Sequence, residues 1–205
     1  MGLPQPVKRY TPFEYYAMER VAEYKSDYYQ GEIFAMAGGT TRHSRICSNV
    51  IAGLHQFLRG KPCSEYESNQ RLKVMATGLR CYPDVSVYCG PLVYDLEDIE
   101  KETATNPTVL FEVLSPSTES YDRGTKARSY RQIPSLQAYV LIAQDRPHVE
   151  VFTRQGEQTW LLSEETNLSN SVDFPSIGVA LPLAEIYDRV DFDSPPELFA
   201  SSASA

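Results

Sequence analysis

The run Thr108-Val109-Leu110-Phe111-Glu112-Val113-Leu114 constrains the fold more than any other stretch. It is apolar at odd and even positions alike, the pattern of a strand covered on both faces near the centre of a sheet. One carboxylate interrupts it. An ionised Glu112 there costs several kcal/mol unless a partner compensates it, so other parts of the chain must bring a counter-charge to that place.

The flanking segments supply a frame of helices around strands. Residues 11–23 open with Thr11 and Pro12, a cap residue followed by proline at the first helical position, and predict a short helix. Residues 24–30 and 32–37 alternate around Gly31 as a hairpin. Ile46, Val50, Leu54, Phe57 and Leu58 recur at three and four residues, an apolar helical stripe ending at Gly60 and Pro62. Strands are expected at 64–67, 71–75, 83–89, 138–143, 149–154 and 158–163. A helix is expected over 117–133 and a helical turn over 182–187, with an acidic loop around Asp95, Glu97, Asp98, Glu100 and Glu102. At 205 residues the chain fits one α/β domain, since domains usually run to roughly 100–200 residues. We place it at 1–193, followed by a low-complexity tail, 194–205, expected to be disordered.

Charge and composition narrow the functions. A formal charge of −8 and a pI near 4.9 give a long-range field that repels polyanions, so any nucleic-acid function rests on a local basic patch. No apolar run approaches the ~18 residues of a membrane helix and residues 1–10 lack a signal-like apolar centre, which reads as a cytoplasmic protein with no membrane partner. Cys47, Cys63, Cys81 and Cys89 are too irregularly spaced for a zinc ribbon and are expected to be reduced and mostly buried. The chain carries no phosphate-cradling loop, dinucleotide fingerprint, serine elbow or HExxH.

Several residues are candidates for chemistry. If the strand carrying Pro83-Asp84 pairs antiparallel with the Glu112 strand, Asp84 falls opposite Leu114 and diagonal to Glu112, about 7–8 Å away on one face. Two carboxylates so placed can hold one hard divalent cation; alternatively, Glu112 is satisfied by an Arg or Lys and Asp84 caps a turn. Asp122, Lys126 and Tyr130 share one side of the following helix. Lys126 either pairs with Asp122 at the surface or turns inward to neutralise the carboxylates. Arg123, Arg128 and Arg131 make that helix net positive and the best local place for phosphates to meet. His43 points toward the core side of its helix, as a hydrogen-bonded core residue or a site residue. Glu32 is either a further acid of the site or a partner for an Arg such as Arg42 or Arg45.

Pro83-Asp84, Glu112-Val113-Leu114 with Ser115-Pro116-Ser117-Thr118, then Asp122, Lys126 and Tyr130, and Leu136 to Leu141 together resemble the Uma-type endonuclease family. That family is abundant in cyanobacteria and belongs to the PD-(D/E)xK, restriction-endonuclease-like superfamily. The resemblance implies a restriction-endonuclease-like mixed β-sheet core flanked by helices, with Asp84, Glu112 and the Val113 carbonyl binding Mg²⁺, or Mn²⁺ in its place. Leu114 stands where the superfamily expects lysine, and the resemblance moves that role to Lys126. Glu32 and His43 match an early acid and a recurrent histidine of the family. Ala138 stands where relatives usually carry glutamate. The implied function is metal-dependent hydrolysis of nucleic-acid phosphodiesters, with DNA as substrate by analogy. The alternative is a nuclease fold without catalysis that serves binding or assembly, suggested by Leu114, Ala138 and the net acidity. A homodimer is expected, with Tyr15, Tyr16, Tyr28 and Tyr29 at its interface if they are exposed.

Overall fold

The computed structural model describes residues 8–36 and 38–193; the expected disordered tail, 194–205, lies outside the described residues. Helix α1 (Pro12–Glu19) begins where Thr11 directs it. The Thr11 hydroxyl accepts from the Glu14 N–H and the Glu14 carboxylate accepts from the Thr11 N–H, closing a capping box. Strands β1 (Ser26–Tyr29) and β2 (Glu32–Ala35) form the hairpin. Its turn residues, Gln30 and Gly31, have φ of 50° and 87°, the positive values that a tight two-residue hairpin turn requires. Helix α2 (Thr41–Leu58) is capped by Thr40 and buries Ile46, Val50, Leu54 and Leu58.

Strands β3 (Cys63–Glu67), β4 (Arg71–Lys73), β5 (Arg80–Cys81), β6 (Val85–Cys89), β7 (Thr103–Ala104) and β8 (Val109–Leu114) follow. A continuous helical segment then runs through α3 (Glu119–Tyr121), a π turn (Asp122–Lys126) and α4 (Ala127–Tyr130). Strands β9 (Ala138–Ala143), β10 (Val149–Arg154), β11 (Trp160–Glu165), β12 (Ser171–Phe174) and β13 (Val179–Pro182), and helix α5 (Leu183–Ile186), complete the chain.

The central sheet has six strands in the order β11-β10-β9-β8-β6-β3. β8 and β9 are parallel, because the helical segment α3–α4 carries the chain back across one face. The period of two then sorts the β8 side chains. Val109, Phe111 and Val113 pack toward α2, β12, β13 and α5, whereas Leu110 and Leu114 pack toward α4 and a second sheet of order β2-β1-β5-β4-β7. Glu112 shares the latter face, so its carboxylate points at the helix that carries Lys126.

Some expectations need correction. The register pairs Val85 with Phe111 and Ser86 with Leu110, so its continuation sets Asp84 against Glu112 itself rather than Leu114. Cys63 and Cys89 are cross-strand partners of β3 and β6 and are joined by a disulfide; only Cys47 and Cys81 are free thiols. Strand pairing, not sequence spacing, makes them neighbours. The acidic loop is partly internal: Asp95 and Asp98 are buried against Lys73, Arg80 and Arg71. Tyr15, Tyr16 and Tyr28 are buried together and present no face to a second copy. Among the described residues, no helix is long and apolar enough to cross a membrane.

Candidate active site

Glu112 is 2 % exposed, at the centre of β8. Its partner comes from the helix: Lys126, 5 % exposed, places Nζ 3.0 Å from Glu112 Oε1 and 3.2 Å from Asp122 Oδ1. The inward alternative for Lys126 is therefore the one adopted. The Tyr130 hydroxyl donates to the same Glu112 oxygen at 2.8 Å, and the Asp84 N–H approaches Oε2 at 3.4 Å. Asp122 and Lys126 open and close the π turn, a wider helical form that recurs at functional sites. Burial would strip the Lys126 proton, but the charges of Glu112, Asp122 and Asp27 outweigh it and hold the pKa well above the usual lysine value. Burial pushes the Glu112 carboxyl up, with Lys126 pulling against it.

Asp84 stands where β6 and β8 begin to pair. Its Oδ2 accepts the Val113 N–H at 2.7 Å and lies 3.1 Å from His43 Nε2. His43 is fixed in the first turn of α2 by the Thr40 cap, and the Thr40 hydroxyl donates to Gln144 Oε1 at the end of β9. Gly39 closes over the ring from outside, where an added Cβ would come within 2.8 Å of Nδ1. Burial alone would lower the His43 pKa, but the hydrogen bond and charge of Asp84 raise it; burial would raise that of Asp84, and the His43 bond and charge bring it below the usual carboxylate value.

Sequence reasoning missed Asp27. It lies on β1, 4 % exposed, with Oδ1 unpartnered. Burial pushes its pKa up to about 6, against the charge of Lys126 and the neighbouring Tyr121 hydroxyl. A carboxylate inside the aromatic run Asp27-Tyr28-Tyr29 was the available signal.

An open cleft of about 830 Å³ leads to this cluster from the α2 side, with Asp84, His43 and Cys47 among its lining residues and Glu19, Glu23 and Glu67 on its walls. Asp84 is thus the accessible acid, and Glu112 and Lys126 are buried behind it. Glu32 is not in the cluster: at the turn end of an edge strand it pairs with Arg9 at 3.3 Å. Arg123 is held by Glu119 and forks the Glu150 carboxylate at 2.7 and 2.6 Å. Its charge is already met within the protein. Arg123, Arg128 and Arg131 do not line the cleft. Leu114 packs in the apolar layer beside α4, and Ala138 is buried in the layer beneath α2.

The sequence matches the family model Uma2, described as "putative restriction endonuclease", over residues 12–184. It is 32% identical over 187 residues to the uncharacterized protein slr1290 of Synechocystis sp., covering 91% of this chain and 96% of that one. It is 33% identical over 164 residues to sll1609 of the same organism, covering 80% and 92%. The fold is similar to the crystal structure of a putative nuclease belonging to DUF820 from Anabaena variabilis, with a TM-score of 0.63 at 20% identity over 81% of this chain and 91% of that one. The architecture is accordingly restriction-endonuclease-like.

Proposed function

The chain belongs to the Uma2 family of putative restriction endonucleases, and on that premise we propose that it is a metal-dependent endonuclease that hydrolyses DNA phosphodiester bonds. The observation that carries the reading is the convergence of Asp84 at the start of β6, Glu112 on β8 and Lys126 on the helix, with Asp84 lining the cleft and the other two buried directly behind it. The donor set suits a hard divalent cation. Asp27, Asp84, Glu112 and Asp122 gather around Lys126 and the His43 imidazole, and carboxylate and carbonyl oxygens are the ligands that Mg²⁺ and Mn²⁺ take. Asp84, Glu112 and the Val113 carbonyl would hold the ion. When bound, it supplies Lewis acidity: charge neutralisation at a phosphoryl oxygen and a more acidic water.

The protein's own groups do the rest. His43 and the Val113 N–H orient the Asp84 carboxylate. Tyr130 and Lys126 fix Glu112, and the Lys126 ammonium would stabilise charge developing on the phosphoryl oxygens. His43 and Tyr130 are positioning residues in this scheme. The competing reading, a nuclease fold kept for binding or assembly, draws on Ala138 and the acidic cleft walls. Assays on plasmid, single-stranded and branched DNA with Mg²⁺ or Mn²⁺ separate the two. Cleavage that stops on chelation and in Asp84→Asn is the expected result. Metal binding without cleavage would support the competing reading, and cleavage indifferent to chelator would overturn the metal site.

A further inference from the structure

We infer that His43, Cys47 and Asp84 form a second cation site on the floor of the cleft, one that takes a borderline transition metal such as Zn²⁺ or Co²⁺. An imidazole nitrogen, a thiol sulfur and a carboxylate oxygen from these residues lie within 4.8 Å of one another. His43 and Cys47 are successive-turn neighbours on one face of α2, and Asp84 meets them from the start of β6. His43 Nδ1 is 3.6 Å from Cys47 Sγ, and its Nε2 is 3.1 Å from Asp84 Oδ2.

Bonds of about 2.0–2.3 Å set tetrahedral donors about 3.4–3.6 Å apart. The ion would take one of the two imidazole nitrogens, and the donors would close by about 1 Å to reach that spacing. All three residues line the open cleft, which gives an ion an entry path and leaves water a coordination position. Cys47 is a free thiol; coordination would release its proton to solvent as the thiolate forms.

Sulfur and nitrogen donors separate this site chemically from the oxygen set assigned to Mg²⁺. The two sites share Asp84, so they cannot both be filled with full ligand sets. The consequence, which rests on the proposed nuclease function, is inhibition: Zn²⁺ on His43, Cys47 and Asp84 would remove Asp84 from the hard cation.

Titration of the full chain with Co²⁺ tests the site independently of any activity. The expected result is a thiolate-to-cobalt charge-transfer absorption with tetrahedral visible bands, saturating at one equivalent and displaced by Zn²⁺. It should be lost in Cys47→Ala and Cys47→Ser and kept in Cys81→Ala. Absence of the band, or its survival in both Cys47 variants, would overturn the site. In the cleavage assay, Cys47→Ala should leave the Mg²⁺-supported rate unchanged and raise the inhibitory Zn²⁺ concentration by about tenfold or more. Equal Zn²⁺ sensitivity would overturn the shared-ligand consequence. A chain that cleaves nothing would count against the nuclease reading alone, with the Co²⁺ titration still deciding the site.

Discussion

Asp27 is buried with one oxygen unpartnered, and its pKa stands at about 6 against an ordinary 3.8. A carboxyl whose folded pKa exceeds its unfolded one binds its proton more tightly in the folded state. That favourable contribution is complete below the unfolded pKa and is lost as pH rises through 6. At neutral pH the charged Asp27 therefore weakens the fold, and Asp27→Asn should stabilise it by on the order of 3 kcal/mol near pH 8. The gain should shrink as pH falls through 6 toward 3.8. Thermal melts across that range check it, and a gain independent of pH would contradict the burial argument. Asp27 was hard to see in the sequence because its burial comes from packing beside β5 and the π turn, distant in the chain. Glu112 was easy to see because it is the only charge in an apolar run.

Thr40 links two elements: it caps α2, and its hydroxyl donates to Gln144 beyond β9. Thr40→Ala removes the cap and leaves a buried acceptor without its donor, and should cost about 1–2 kcal/mol in denaturant melts. Thr40→Ser, which keeps the hydroxyl, should cost much less; equal losses would mean that the methyl group and not the cap matters. Helix α2 and strand β8 were legible because their signals are local, a stripe at helical spacing in one and unbroken apolarity in the other. The strands β5 and β7 are two residues each and are defined only by distant partners, so these two members of the second sheet could not be read from periodicity. The same holds for the Cys63–Cys89 bridge and for the register that sets Asp84 against Glu112. The helix after β8 was legible, but its π turn was not, since no residue in Asp122–Lys126 marks a wider turn.

At the scale of the whole molecule, a charge of −8 and carboxylates on the cleft walls oppose a polyanion. DNA binding by Asp84→Asn, measured by fluorescence anisotropy, should be weak and should weaken further as salt rises. Against that repulsive field the salt slope should correspond to only about 1–3 phosphate contacts. Affinity unchanged between low and moderate salt would contradict an electrostatic contact. The central claim is that buried Lys126 serves the Asp84 and Glu112 carboxylates in catalysis and not only in folding. Removing it outright would leave Glu112 buried without its cation, a loss of about 3–5 kcal/mol, so the informative change is Lys126→Gln, which keeps a donor for Glu112 and removes the charge. The deciding measurement is the single-turnover rate of Mg²⁺-supported plasmid cleavage by Lys126→Gln beside the parent, at a temperature where circular dichroism shows both folded. A fall of about 10²–10³ is expected; a rate within a few-fold of the parent, or no Mg²⁺-dependent cleavage by the parent itself, would contradict that role for Lys126.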